Sequence, residues 1–293
     1  MRRLAAVAVF LVAACGATAA HAQTLALAYK GGDTYKYAIH SISNQTIDMG
    51  AMSVPVKLDL TAGETITVKS VDASGTADMS IDLSNVVIKS VTGSVTNTTT
   101  GTPTPTIAVK VGADGRILSV NGNTLSGNPF SLATGGGSFV TAVLPDKAVK
   151  PGDTWSKDFD QANPLGGGTI HATTSSRYLR DESLKGVNAA VVETTTNASL
   201  DLMIDLSKAM AGAPAGTPTI PPGVVQNLSL KGTLTSVVTS WIDPSGHRVM
   251  KSHKTGTTNA TMNFTGTPTG PAIPGMTGPL TMKGDETTDL NPA

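Results

Sequence analysis

Along residues 65–83 the chain alternates between apolar and polar positions. Ile66 and Val68 are separated by Thr65, Thr67 and Lys69; after Asp72-Ala73-Ser74-Gly75, the residues Ala77, Met79, Ile81 and Leu83 alternate with Asp78, Ser80 and Asp82. A period of two with one apolar and one wet face predicts an antiparallel hairpin covered on a single side. The reading extends in both directions. A strand over 35–49 is expected to turn at 50–55 and return through 71. Ile107, Val109 and Val111 lead through Asp114-Gly115 to Ile117, Leu118 and Val120, and Asp-Gly between two apolar runs is a strong hairpin signal.

The second half reads similarly. After a Gly-rich bend at Gly166–Gly168, strands are predicted over 169–179 and 187–202 with a turn at 181–186. The stretch 228–242 is expected to be the longest strand, with Leu228, Leu230, Leu234, Val238 and Ile242 on one face. Asp243-Pro244-Ser245-Gly246 turns it into His247-Arg248-Val249-Met250, and a last short strand is expected near 280–283. Residues 93–105 are polar, Pro-punctuated and without apolar period, which predicts a mobile loop; 211–223 and 265–279 read as Pro/Gly loops. Short helices are expected within 129–144 and at 206–210, the first weakened by Gly135-Gly136-Gly137.

One motif occurs twice. Lys30-Gly31-Gly32-Asp33-Thr34-Tyr35 returns as Lys150-Pro151-Gly152-Asp153-Thr154-Trp155. Pro-Gly suits the centre of a type II turn, and the Thr and aromatic that follow favour an extended segment, so the motif builds a turn that launches a strand. Gly115-Arg116-Ile117-Leu118 and Gly246-His247-Arg248-Val249 form a second matching pair. The expected organisation is a leader over 1–22, a first β repeat over 23–145 and a second over 146–293, as two units or one continuous domain.

The leader rests on Arg2 and Arg3, an apolar run from Leu4 to Ala14 and a small-residue site at Ala20-His21-Ala22. Cleavage after Ala22 is one outcome; the other is lipid attachment at Cys15, because Val12-Ala13-Ala14-Cys15 resembles a lipobox. Either way an exported protein is expected, periplasmic or extracellular in the first case and membrane-anchored in the second. Cys15 is the single cysteine, so cleavage after Ala22 leaves no disulfide, thiolate or Cys-ligated metal. No second apolar run is long enough to span a bilayer as a helix.

Composition adds exclusions. Lys+Arg and Asp+Glu stand at 21 each, and no basic cluster suggests nucleic acid. Aromatic residues make up 4%, few for a carbohydrate-binding surface. There is no Gly-x-Ser-x-Gly elbow, no Ser-x-x-Lys, no His-Glu-x-x-His and no phosphate-binding loop, so no catalytic residue, metal ligand or cofactor is assigned. Asp72–Asp78 lacks the Gly and Glu of a Ca²⁺ loop. His40, His171, His247 and His253 read as solvated or hairpin-end residues, His247 and His253 on one strand face but too far apart for one metal. Tyr35 and Trp155 read as core anchors, while Trp241, opposite the apolar face of its strand, is the candidate ligand-binding residue.

The Lys-Pro-Gly-Asp-Thr-Trp segment and the Asp-Pro-Ser-Gly-His-Arg hairpin resemble uncharacterised families of secreted and lipid-anchored bacterial β proteins. The strand pattern is more remotely similar to the curved sheets of periplasmic lipoprotein carriers, and no residue role is carried over from them. The fold expected is mainly β and antiparallel: two related halves forming a large curved sheet, half-barrel or sandwich, with one or two short helices. The function expected is a non-enzymatic envelope protein that binds a lipid or other apolar or extended ligand on the concave face. A structural or adhesive surface protein is the alternative, and an unrecognised hydrolase the third.

Overall fold

The computed structural model describes residues 22–50, 52–101, 106–121, 141–162, 166–205, 227–265 and 279–293. Twelve strands account for most of them: β1 (Thr34–Met49), β2 (Met52–Val71), β3 (Ala77–Thr92), β4 (Val95–Thr100), β5 (Ile107–Val111), β6 (Ile117–Asn121), β7 (Thr154–Ala162), β8 (Gly166–Leu184), β9 (Val187–Asp205), β10 (Asn227–Asp243), β11 (Arg248–Thr265) and β12 (Leu280–Pro292). Thr, Val and Ser dominate these segments, and their branched or short polar side chains suit a half-buried pleated surface.

All pair into one antiparallel sheet, curved as a half-barrel, in the order β6-β5-β3-β2-β1-β12-β11-β10-β9-β8-β7, with β4 on the side of β3. Each half is a meander in the same order, β1-β2-β3-β5-β6 and β7-β8-β9-β10-β11. β12 joins them, pairing β1 on one side and β11 on the other.

The repeated motif is the same turn in both places. Asp33 N–H donates to Lys30 O and Gly32 N–H to Val68 O; Asp153 N–H donates to Lys150 O and Gly152 N–H to Tyr178 O. Gly32 and Gly152 hold φ of 93° and 98°, which an L side chain resists. The following aromatic anchors against the core each time: Tyr35 donates to Asp33 Oδ2 (2.8 Å) and Trp155 Nε1 to the Val143 carbonyl (2.9 Å).

Several boundaries differ from expectation, each for a physical reason. Residues 93–105 contain a strand, β4, paired with β3 from Thr92↔Val95 to Val87↔Thr100. It buries neither face and so shows no apolar period, yet Thr favours extension and Gly93, at φ 58°, turns the chain. The turn expected at 181–186 contracts to Lys185-Gly186, both at positive φ (49° and 81°), and β8 runs to Leu184. Gly166–Gly168 opens β8 rather than bending before it. The 50–55 turn shortens likewise, since β2 begins at Met52; β2, with 20 residues, is the longest strand, ahead of the 17 of β10. The short strand at 280–283 extends to Pro292, held by β1 on one side and β11 on the other; Glu286 and Thr288 occupy inward positions and break the apolar alternation that would have marked it. His247 lies in the turn before β11, at φ 50°. The helix expected at 206–210 falls outside the described residues, as does 129–140 of the other; 141–144 are irregular, and no helix occurs among the described residues.

Candidate functional site

Two non-strand segments mark the inside of the curve. Residues 22–29 bring Leu25, Leu27 and Tyr29, and residues 141–149 bring Ala142, Leu144 and Val149, into one buried cluster. That cluster includes Ile66, Ile81 and Val109 from one half and Tyr178, Val192 and Ile242 from the other, so both halves face the same interior. The segments are fixed by backbone bonds: Gln23 pairs with Val149, Leu27 N–H donates to Ala113 O and Ala28 N–H to His247 O.

Below this cluster the inner face of the second half is polar. Thr194 Oγ1 accepts from Val143 N–H (2.9 Å), Ser240 Oγ accepts from Ala142 N–H (2.8 Å), and Ser176 Oγ donates to Val143 O (3.1 Å). These buried hydroxyls satisfy the backbone of an extended segment that crosses strands without pairing to them. In the same belt Lys254 and Glu286, 5% and 8% exposed, form an ion pair. Glu286 lies across Gly256, where an added Cβ would stand 3.0 Å from its Oε1, so the glycine makes room for the carboxylate. Beyond the belt is a second buried cluster: Leu200, Leu202, Leu228, Leu230, Ala260, Met262, Leu280 and Met282, flanked by Ile47, Met49 and Ile170.

The first half is different at the same depth. Register places Ile47 opposite Val54, Gln45 opposite Val56, Ser43 opposite Leu58 and Ser41 opposite Leu60. Since Ile47 also lies opposite Met282, the whole series faces inward. Val54, Val56, Leu58 and Leu60 are each half-buried, with Ile88 beside Leu60. This apolar track runs along the inner face of β2 through Ala62 to Glu64.

Glu64 is 1% exposed, and neither carboxylate oxygen has a hydrogen-bond partner among the described residues. Burial pushes its carboxyl up from 4.5 to about 8. Its cross-strand neighbours explain the isolation: Leu83 has no polar side-chain atom, and Tyr37 donates its hydroxyl to the Val249 carbonyl at 2.6 Å. Burial and then the nearby Glu64 push the Tyr37 phenol up in turn. The sequence reading passed over Glu64, although an acid closing an apolar period-two run (Val54, Val56, Leu58, Leu60, Ala62) was its signal.

Trp241 lies on the outer face, away from these groups. Lys251 Nζ stands 4.8 Å from its ring centroid, and the indole and then Arg180 hold the nearby Glu182 below the usual carboxylate range, although Nε1 makes no hydrogen bond of ordinary geometry. Cys15 lies outside the described residues. His40, His171 and His253 each contact an aspartate on the outer face (Asp59, Asp160 and Asp289), and no group of three or more potential metal ligands occurs among the described residues. An outer groove of about 480 Å³ is lined by Asn44, Lys57, Val91, Lys283 and Asp285 among others. No helix among the described residues is long and apolar enough to cross a membrane.

At the end where residues 22–29 dock, the sheet's edges are tied together. Lys157 on β7 donates to Asp114 (2.9 Å) in the β5–β6 turn and to Asp146 (2.7 Å), while Arg116 bonds Asp114 and lies 5.1 Å from the Phe159 ring centroid. Burial pushes the Asp114 carboxyl up, but the bonds from Lys157 and Arg116 outweigh it and hold the group low.

No family model and no curated protein matches the chain. Among solved structures, one titled "Lipid-protein interactions in lipovitellin" is similar at 11% identity and a TM-score of 0.44, covering 90% of this chain and 26% of that one. At that level the likeness carries no argument about function, and this chain spans about a quarter of that neighbour's length.

Proposed function

We propose that this is a non-enzymatic, exported envelope protein that binds an apolar, extended ligand on the inner face of its curved sheet. The observation that carries the reading is the β2 track, a line of half-buried Val and Leu side chains facing inward beside Ile47 and Ile88. A packed core needs no such line of partial exposure, whereas an elongated apolar ligand would cover it. Export rests on the leader pattern of residues 1–22, with lipidation at Cys15 as the alternative to cleavage after Ala22. The intact mass of protein purified from its host separates the two processing outcomes. Native mass spectrometry of the same material tests the binding: a co-purified apolar molecule, lost when Leu58→Asp is introduced, supports it, and ligand-free protein that also takes up no alkyl probe overturns it.

A structural or adhesive role is the second reading. It is favoured by the outer groove, where Lys57 and Lys283 flank the hydrogen-bonded Asn44 and Asp285. Loss of surface attachment on Lys57→Glu/Lys283→Glu substitution, with alkyl binding absent, would favour it over the first.

A further inference from the structure

We propose that the β2 track holds a single alkyl chain whose cationic amine head pairs with Glu64. The inference rests on the binding reading above and names the ligand class. From Val54 to Glu64 the inner positions of one strand run apolar, apolar, apolar, apolar, small, acidic. At about 3.3 Å per residue this is about 33 Å of track, comparable to the roughly 30 Å hydrocarbon core that two facing lipid chains fill, so one chain lies along it with length to spare.

Glu64 stands at its buried end. A β-bulge where β3 carries Ser84 to Val87 against Thr61 to Gly63 keeps Leu83 and Val86 on the inner face around it, and bulges recur where a strand must re-aim side chains. Tyr37 is the titratable group facing it across β1, with Tyr35 and Arg248 near Tyr37 in turn, and no cation pairs with Glu64 among the described residues. A buried carboxyl with both oxygens unpaired is costly, and a hydrogen-bond donor that arrives with its own positive charge offsets that cost best.

The proton balance gives a signature. The carboxyl is neutral up to about pH 8. An arriving ammonium therefore turns it into a carboxylate, and the carboxyl proton passes to water; the amine keeps its own. An alcohol of the same chain length makes only a neutral hydrogen bond and releases nothing.

The test compares dodecylamine with dodecanol by titration calorimetry in two buffers of different ionisation enthalpy, at a pH between 4.5 and about 8. The amine is expected to bind at least about tenfold more tightly and to release close to one proton per molecule bound. Glu64→Gln, which mimics the neutral acid, should abolish both the preference and the proton release. Leu58→Asp, on the track, should weaken both probes. Equal affinity of amine and alcohol, or amine binding without proton release, overturns the role of Glu64 and leaves the apolar-ligand reading standing. Failure of both probes to bind wild-type protein overturns both.

Discussion

Glu64 ties pH to stability in a defined direction. Its folded-state value, about 8, lies above the ordinary 4.5, so folding favours the protonated form. The stabilisation is complete below 4.5 and is lost as pH rises to about 8, at about 1.4 kcal/mol per pH unit across that window. Denaturant midpoints measured at the two ends should therefore fall with rising pH in the wild type, and Glu64→Gln should flatten the slope. The Lys254–Glu286 pair behaves differently, because each charge is compensated by the other. Glu286→Gln leaves an ammonium buried without its counter-charge and should cost about 3–5 kcal/mol, whereas Lys254→Met combined with Glu286→Leu should cost far less. Urea unfolding of the two variants beside the wild type checks this. Both acids hide in the sequence for the same reason: they occupy inward positions that an alternation reading assigns to apolar residues. Glu286 shortened the expected last strand and Glu64 went unremarked, yet the strands that carry them follow the period faithfully.

At the scale of elements, turns were the most legible feature. Lys-x-Gly-Asp-Thr-aromatic, Asp-x-x-Gly and Asp-Gly each demand a left-handed or tight backbone that few sequences supply, and Gly32, Gly152, Gly75 and Gly115 all hold positive φ. Gly152→Val should accordingly lower stability by more than 1 kcal/mol, about the strain of a branched side chain at that φ, although nothing stands within 4 Å of the added Cβ. Thermal unfolding measures it. Gly101→Val should lower stability as well, since Gly101 too lies at positive φ (69°) and its N–H donates to Val86 O. Less legible was whatever depended on strand pairing and packing rather than on the local pattern. β4 is a strand only because β3 offers its edge, and Lys185, with no turn signature of its own, is held left-handed by the register of β8 and β9. The buried hydroxyls Ser176, Thr194 and Ser240 read as ordinary strand residues until residues 141–144 are laid across them.

For the whole molecule, the open side of the half-barrel is bridged by charge rather than by strand pairing. Lys157 spans from β7 to the β5–β6 turn. Asp114→Asn should loosen that bridge, so amide exchange should rise together in β6, β7 and residues 141–149, with little change at β1–β12. Because Asp114 is held low, its contribution is present above the ordinary 3.8 and is lost as pH falls through its folded-state value, opposite in sign to Glu64. Stability is thus expected to peak on the acid side, between the loss of Asp114 as pH falls below 3.8 and the loss of Glu64 that sets in as pH rises through 4.5.

The pairing of β1 with β12 also fixes a timetable. The first long strand acquires one of its two neighbours only from the last, and Ala28 and Tyr37 bond His247 and Val249, more than 200 residues downstream. Contacts of such sequence separation carry a large loop-closure cost before any return, so the sheet joins up late and slowly. On the proposed reading of an exported protein, such late closure suits passage across a membrane as an extended polymer. Refolding from denaturant should be slow, and a chain ending before Leu280 should lack the cooperative transition of the full protein, since two meanders would then be left without the strand that connects them.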